Sequence, residues 1–138
     1  MESQSNMTIG TTVQLHVDFD TALAKVVAAL KTEGFGVLTE IDVKDTFKKK
    51  LDVDLRPYRI LGACNPPLAY RSISAVPEVG LLLPCNVIVY QASENVVEVS
   101  LVDPLVMLGV LQNPELQEVA QEAGARLKRV AQALSSGS

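Results

Sequence analysis

Apolar and polar positions along this chain follow two alternating rhythms. Val13, Leu15 and Val17 alternate with Gln14 and His16, the period of two that marks a half-buried strand over Thr12–Val17. Asp18 then reads as a helix cap, and Phe19, Ala22, Leu23, Val26, Val27 and Leu30 recur at helical spacing as one stripe. Gly34 stops that helix and Gly36 opens a second strand, Val37–Ile41. Asp42, with Asp45 three residues on, starts a short helix expected to bury Val43, Phe47 and Leu51. A third strand spans Tyr58–Cys64. Asn65-Pro66 places a cap residue before a proline at the first helical position, and the helix it starts runs to Ala75. The segments Leu81–Tyr90 and Val96–Val102, joined by the short loop Gln91–Asn95, predict an antiparallel hairpin. Asp103-Pro104 starts an apolar helical segment through Leu111. After Asn113-Pro114 comes a long helix with Leu116, Val119, Ala120, Ala123, Leu127, Val130, Ala131 and Leu134 on one face.

This βαβαβα-ββ-α order predicts a single α+β domain, a mixed β-sheet of about five strands with helices packed on it. The hairpin requires antiparallel pairing, while the βα alternation argues for some parallel pairing. Residues 11–134 carry the pattern. Residues 1–10 and 135–138 are small, polar and aperiodic, and read as flexible tails.

Composition narrows the function classes. The chain has 138 residues, 48% of them hydrophobic and 20% charged, enough for a core without metal or disulfide staples. A net charge of −4 argues against nucleic acid and anionic membrane as partners. No apolar run approaches the ~18–20 residues of a bilayer span, and the first residues lack the basic-then-apolar order of a signal peptide. A cytoplasmic protein is the expectation.

Candidate chemistry centres on two Cys-Asn pairs, Cys64-Asn65 and Cys85-Asn86, each at the edge of an apolar run. A thiol at Cys64 would face the backbone N–H groups of the helix that follows, which favours thiolate. If the two strands are neighbours, both sulfurs reach one pocket at a strand end, where open sheets bind ligands. The plainer explanation is that both are small buried hydrophobes. Asn65 and Asp103 are explained as helix caps, though both remain candidate ligand-binding residues with Cys64, Cys85 and Asn86. Asn86 would brace a bulge or contact a ligand. Met107 beside the thiols would suit a soft metal such as Cu(I), but 20 residues separate the cysteines and His16 is the sole imidazole, so a zinc site is poorly supported. No Gly-x-Ser-x-Gly, phosphate-loop or His-Glu-x-x-His motif is present. Lys48, Lys49 and Lys50 form a basic spot without aromatic neighbours, the mark of a solvated helix face.

Four motifs in order carry a resemblance: Glu33–Asp42, Ile60–Pro66, Leu82–Val87 and Asp103-Pro104. Together, from Thr11 to Leu134, the chain resembles the bacterial and archaeal domain-of-unknown-function family 302. That resemblance implies a compact α+β fold with a mixed sheet, commonly a homodimer, and no agreed activity, substrate or cofactor. A homodimer is expected on local grounds too, because Pro104–Leu111 is apolar on all sides and must be covered on all sides. The reading that follows is a non-enzymatic module binding a small ligand or soft metal near the two strand-end Cys-Asn pairs. The alternatives are a thiol-dependent enzyme, with Cys64 as nucleophile or redox centre, and a purely structural homodimer.

Overall fold

A computed structural model describes residues 9–136. Along the chain come β1 (Gly10–Leu15), α1 (Phe19–Thr32), β2 (Gly36–Asp42), α2 (Val43–Leu51), β3 (Tyr58–Cys64) and α3 (Pro66–Ala75). A 3₁₀ segment, Pro77–Leu82, leads into β4 (Cys85–Ser93), and β5 (Val96–Val102) and α4 (Pro104–Leu108) follow. A 3₁₀ turn, Gly109–Leu111, then joins α4 to α5 (Pro114–Ser136). The strands form one sheet in the order β1-β5-β4-β3-β2.

The five-stranded α+β domain agrees with the sequence pattern; the mixed pairing does not. Every neighbouring pair is antiparallel. β1 and β2 do run in the same direction, as their βαβ order suggested, but they occupy opposite edges with three strands between them. α1 therefore crosses the sheet rather than linking neighbours. α2 buries no residue and leaves Phe47 and Leu51 exposed, contrary to the expected burial. It does not lie back along a sheet face, as a crossover between parallel neighbours must. It serves instead as a long turn between antiparallel β2 and β3.

One sheet face carries the core. Leu61, Val87, Val89, Val97, Val99 and Leu101 meet Ala22, Val26 and Leu30 of α1 and Leu127, Val130 and Leu134 of α5. All eight positions of the expected α5 stripe are buried. The other face is mixed: polar groups pair across β1 and β5, Thr12 against Ser100 at 2.7 Å and Gln14 donating to Glu98 at 2.9 Å, while Ile41, Ile60 and Ile88 align across β2, β3 and β4. Tyr58 and Tyr90 stack on that face, centroids 5.4 Å apart, and the Tyr90 hydroxyl bonds Glu98.

Several boundaries move. The expected strand Leu81–Tyr90 begins only at Cys85, because Pro77–Leu82 coils as 3₁₀ helix and leaves Leu81 exposed. Pro84 sits just ahead of β4, a central strand. Residues 1–8 and 137–138, read as tails, lie outside the described residues. Ile9 and Gly10 are not tail: Gly10 pairs with Val102, and the Ile9 carbonyl accepts from Asp103 N at 2.8 Å. Ser135 and Ser136 continue α5. Lys48 and Lys49 pair with Asp52, Asp54 and Asp45 on the exposed face of α2, as a solvated helix would.

A candidate ligand cavity between α3 and the sheet

The site begins with a small-residue problem. α3 starts at the end of β3 and packs against α5 and the 3₁₀ segment Pro77–Leu82, yet Ala69 and Ser72 are too short to fill the space between it and the strand ends. A cavity of about 250 Å³ remains. Leu68, Ala69, Ser72 and Ile73 of α3 form its roof, and Phe35, Ala63 and Cys85 lie below. Pro104, Leu108, Val119 and Ala123 close the side against α4 and α5. Leu38, at the register shift in β2, and Ile73 line the cavity while 67% and 47% exposed, so they frame an apolar mouth.

The two cysteines come to the same end of the sheet. Cys85 pairs in register with Ala63, next to Cys64, and both cysteines line the cavity. Burial, with a smaller contribution from the neighbouring Cys64, pushes the Cys85 thiol up to about 11. Burial also raises Cys64. The thiolate expected at Cys64 is thus not favoured: burial raises the thiol, and the start of α3 offers nothing to offset that. Its first two residues, Pro66 and Pro67, have no N–H. The next donor, Leu68 N, is taken by Asn65 Oδ1 at 3.4 Å, and Ala69 N by the Asn65 carbonyl at 2.9 Å. No free donor is left at that helix start to stabilise a sulfur anion.

Asn65 is a cap, as expected, and is buried on the cavity wall as well. Its Nδ2 donates to the Glu33 carbonyl at 3.3 Å, and Arg126 Nη1 donates to the same oxygen at 3.0 Å. That carbonyl ties the end of α1 to the start of α3 and to α5. Gly34 makes the turn possible: its φ of 83° is the left-handed conformation that glycine adopts without a Cβ clash.

The remaining candidates separate from this cavity. Asp103 caps α4 by accepting from Leu105 N at 2.9 Å and borders a different recess, beyond Pro104. Asn86 is exposed and pairs with Gly62. With Met107 and Cys85 it lines a small hollow of about 40 Å³ that excludes Cys64. Cys64, Cys85 and Met107 therefore do not share one chamber. Among the described residues, no group of three or more His, Cys, Asp or Glu stands where it could hold a metal ion. Glu40 and Asp42 pair with Arg59 at the opposite end of β2, and His16 follows β1 at that far end too. No imidazole reaches the thiols.

Sequence reasoning missed the roof, Leu68, Ala69, Ser72 and Ile73. The available signal was the small pair Ala69 and Ser72 on a helix following a strand that ends Gly62-Ala63, which leaves neither partner able to fill the gap.

The fold and cavity define a five-stranded antiparallel α+β domain with an apolar chamber at one sheet end. The chain belongs to the family described as Domain of unknown function DUF302, whose sequence profile matches residues 11–134. A similar solved structure is that of an uncharacterized conserved protein DUF302 from Bacillus stearothermophilus. It is 29% identical, with a TM-score of 0.82 over 91% of this chain and 98% of that one. No curated protein matches the chain. No helix among the described residues is long and apolar enough to cross a membrane.

Proposed function

We propose that this domain is a non-enzymatic module that holds a small ligand in the cavity beneath α3, with Cys64, Asn65 and Cys85 on its wall. The observation that carries this reading is the cavity itself. It is an apolar recess of about 250 Å³, open to solvent past Leu38 and Ile73, of the concave and mostly apolar kind that small-molecule sites have. A thiol-dependent enzyme is less well supported: both thiols are raised, and neither has a base beside it. A soft-metal site at Cys64, Cys85 and Met107 has the same difficulty, since ligation needs thiolates and Met107 borders a separate hollow.

The test is a screen of small uncharged and charged molecules against the protein, followed by methyl resonances. Molecules that bind should shift Leu68, Leu83 and Val119, and Ala69→Phe, which fills the chamber, should abolish those shifts. Absence of any binder at millimolar concentration, or shifts confined to another surface, would remove the reading.

The domain is also proposed to act as a cytoplasmic homodimer. Pro104 and Leu108 are buried within the chain, but Val106 and Val110 stay 45% and 70% exposed beside the half-exposed Leu105. Burying that apolar edge against a second copy follows the commonest oligomer symmetry. Sedimentation at micromolar concentration should give a species of about twice the 14.8 kDa chain, reduced to monomer by Val106→Lys with Val110→Lys. A single monomeric species for the unaltered protein would remove the dimer.

A further inference from the structure

The chemistry of the chamber wall narrows what it can accept. None of the residues lining it is charged. Its polar side chains are already engaged: Asn65 with Leu68 N and the Glu33 carbonyl, and Ser72 donating to the Leu68 carbonyl at 2.8 Å. The nearby cations are committed elsewhere, Arg71 to Glu115 and Glu118, Arg126 to Glu122 and the Glu33 carbonyl. A carboxylate or ammonium seated against the inner wall, away from the mouth, would find no partner there, and an unpaired buried charge is strongly disfavoured.

Size and shape add a second limit. A dry apolar cavity of about 150 Å³ suffices for benzene, so about 250 Å³ takes two fused rings. Phe35 lies on one side, and the two sulfurs present the polarizable surface that favours contact with aromatic rings. The exposed Leu38 and Ile73 at the mouth offer an apolar route in, with no polar gate.

We infer that the ligand of the chamber formed by Phe35, Cys64, Ala69, Ser72 and Cys85 is an uncharged, flat aromatic molecule of about ten non-hydrogen atoms. This rests on the reading of the cavity as a binding site. It extends that reading by excluding ionised ligands of the same shape.

The test compares 1-naphthol with 1-naphthoate at pH 7, two molecules of the same ring system, the second of them ionised. Binding to the full chain is followed by naphthyl fluorescence. Naphthol should bind saturably, and naphthoate at least about tenfold more weakly, the least that an unpaired buried charge should cost. Equal affinity for both would overturn the uncharged-ligand inference and leave the binding-site reading standing. Binding of neither at millimolar concentration would overturn both. Ala69→Phe should abolish naphthol binding; persistence in the folded variant would put the molecule elsewhere and sink the assignment. Where that variant fails to fold, alkylation of Cys64 at pH 8, where naphthol is still uncharged, decides in the unaltered protein. Naphthol should slow it and naphthoate should not, and an unchanged rate with bound naphthol overturns the assignment.

Discussion

Replacing Leu127 by alanine is expected to cost about 2–5 kcal/mol of folding stability, the range for deleting a buried leucine side chain. Leu127 is 3% exposed and belongs to the main core cluster, where α5 meets the sheet. Alanine is the better helix former, so the loss cannot come from local propensity and must come from removed packing plus the void left behind. Denaturant unfolding at an unchanged slope measures it. Gln132→Ala, on the exposed side of the same helix, serves as control and should stay within about 0.5 kcal/mol. A Leu127→Ala change no larger than that control would mean that α5 does not seat its stripe on the sheet.

The second large effect is a pH dependence centred on Cys85. Its thiol rises from an ordinary 9.0 to about 11 because burial disfavours the anion. Below pH 9 the group is protonated in folded and unfolded chains alike, and the stabilisation is fully present. Between 9 and 11 the unfolded chain releases its proton while the folded chain keeps it, so the unfolded state gains. Stability is lost as pH rises through that window, by something on the order of 2–3 kcal/mol for two pH units. Other groups titrate there, so the quantity to measure is the difference between the unaltered protein and Cys85→Ala across pH 8 to 11.5. A difference independent of pH would show that Cys85 ionises as readily in the fold as out of it. The same burial predicts slow alkylation near pH 7, where a nucleophilic cysteine would react fast.

The two thiols show how a correct placement can accompany a wrong chemical expectation. Their arrival at one sheet end follows from strand order that the chain punctuates clearly: β3 ends at Cys64, and β4 begins at Cys85. The expected thiolate failed because burial raises the thiol and the helix N-terminus lacks the donors that would offset it. Pro66-Pro67 removes two N–H groups and Asn65 takes the next, all of which is visible in the residues. Asn86 and Met107 are different. Whether they meet Cys64 depends on which sheet face each occupies and on how α4 turns after Asp103, and neither follows from local pattern.

What the chain determined by itself is the set of elements that local chemistry controls. The helix caps at Asn65, Asp103 and Asn113, the α5 stripe and the β4–β5 hairpin each depend on residues a few positions apart. Periodicity and capping read such contacts directly. Tertiary structure alone decided that β1 and β2 stand at opposite edges, that all pairing is antiparallel, and that α2 stays outside the core. Those outcomes turn on which strands meet, a long-range choice that local periodicity and capping do not report. The cavity belongs to the same class. It exists because Ala69 and Ser72 of one element face Ala63 of another, and no local pattern reports an absence of packing between residues that only the fold brings together.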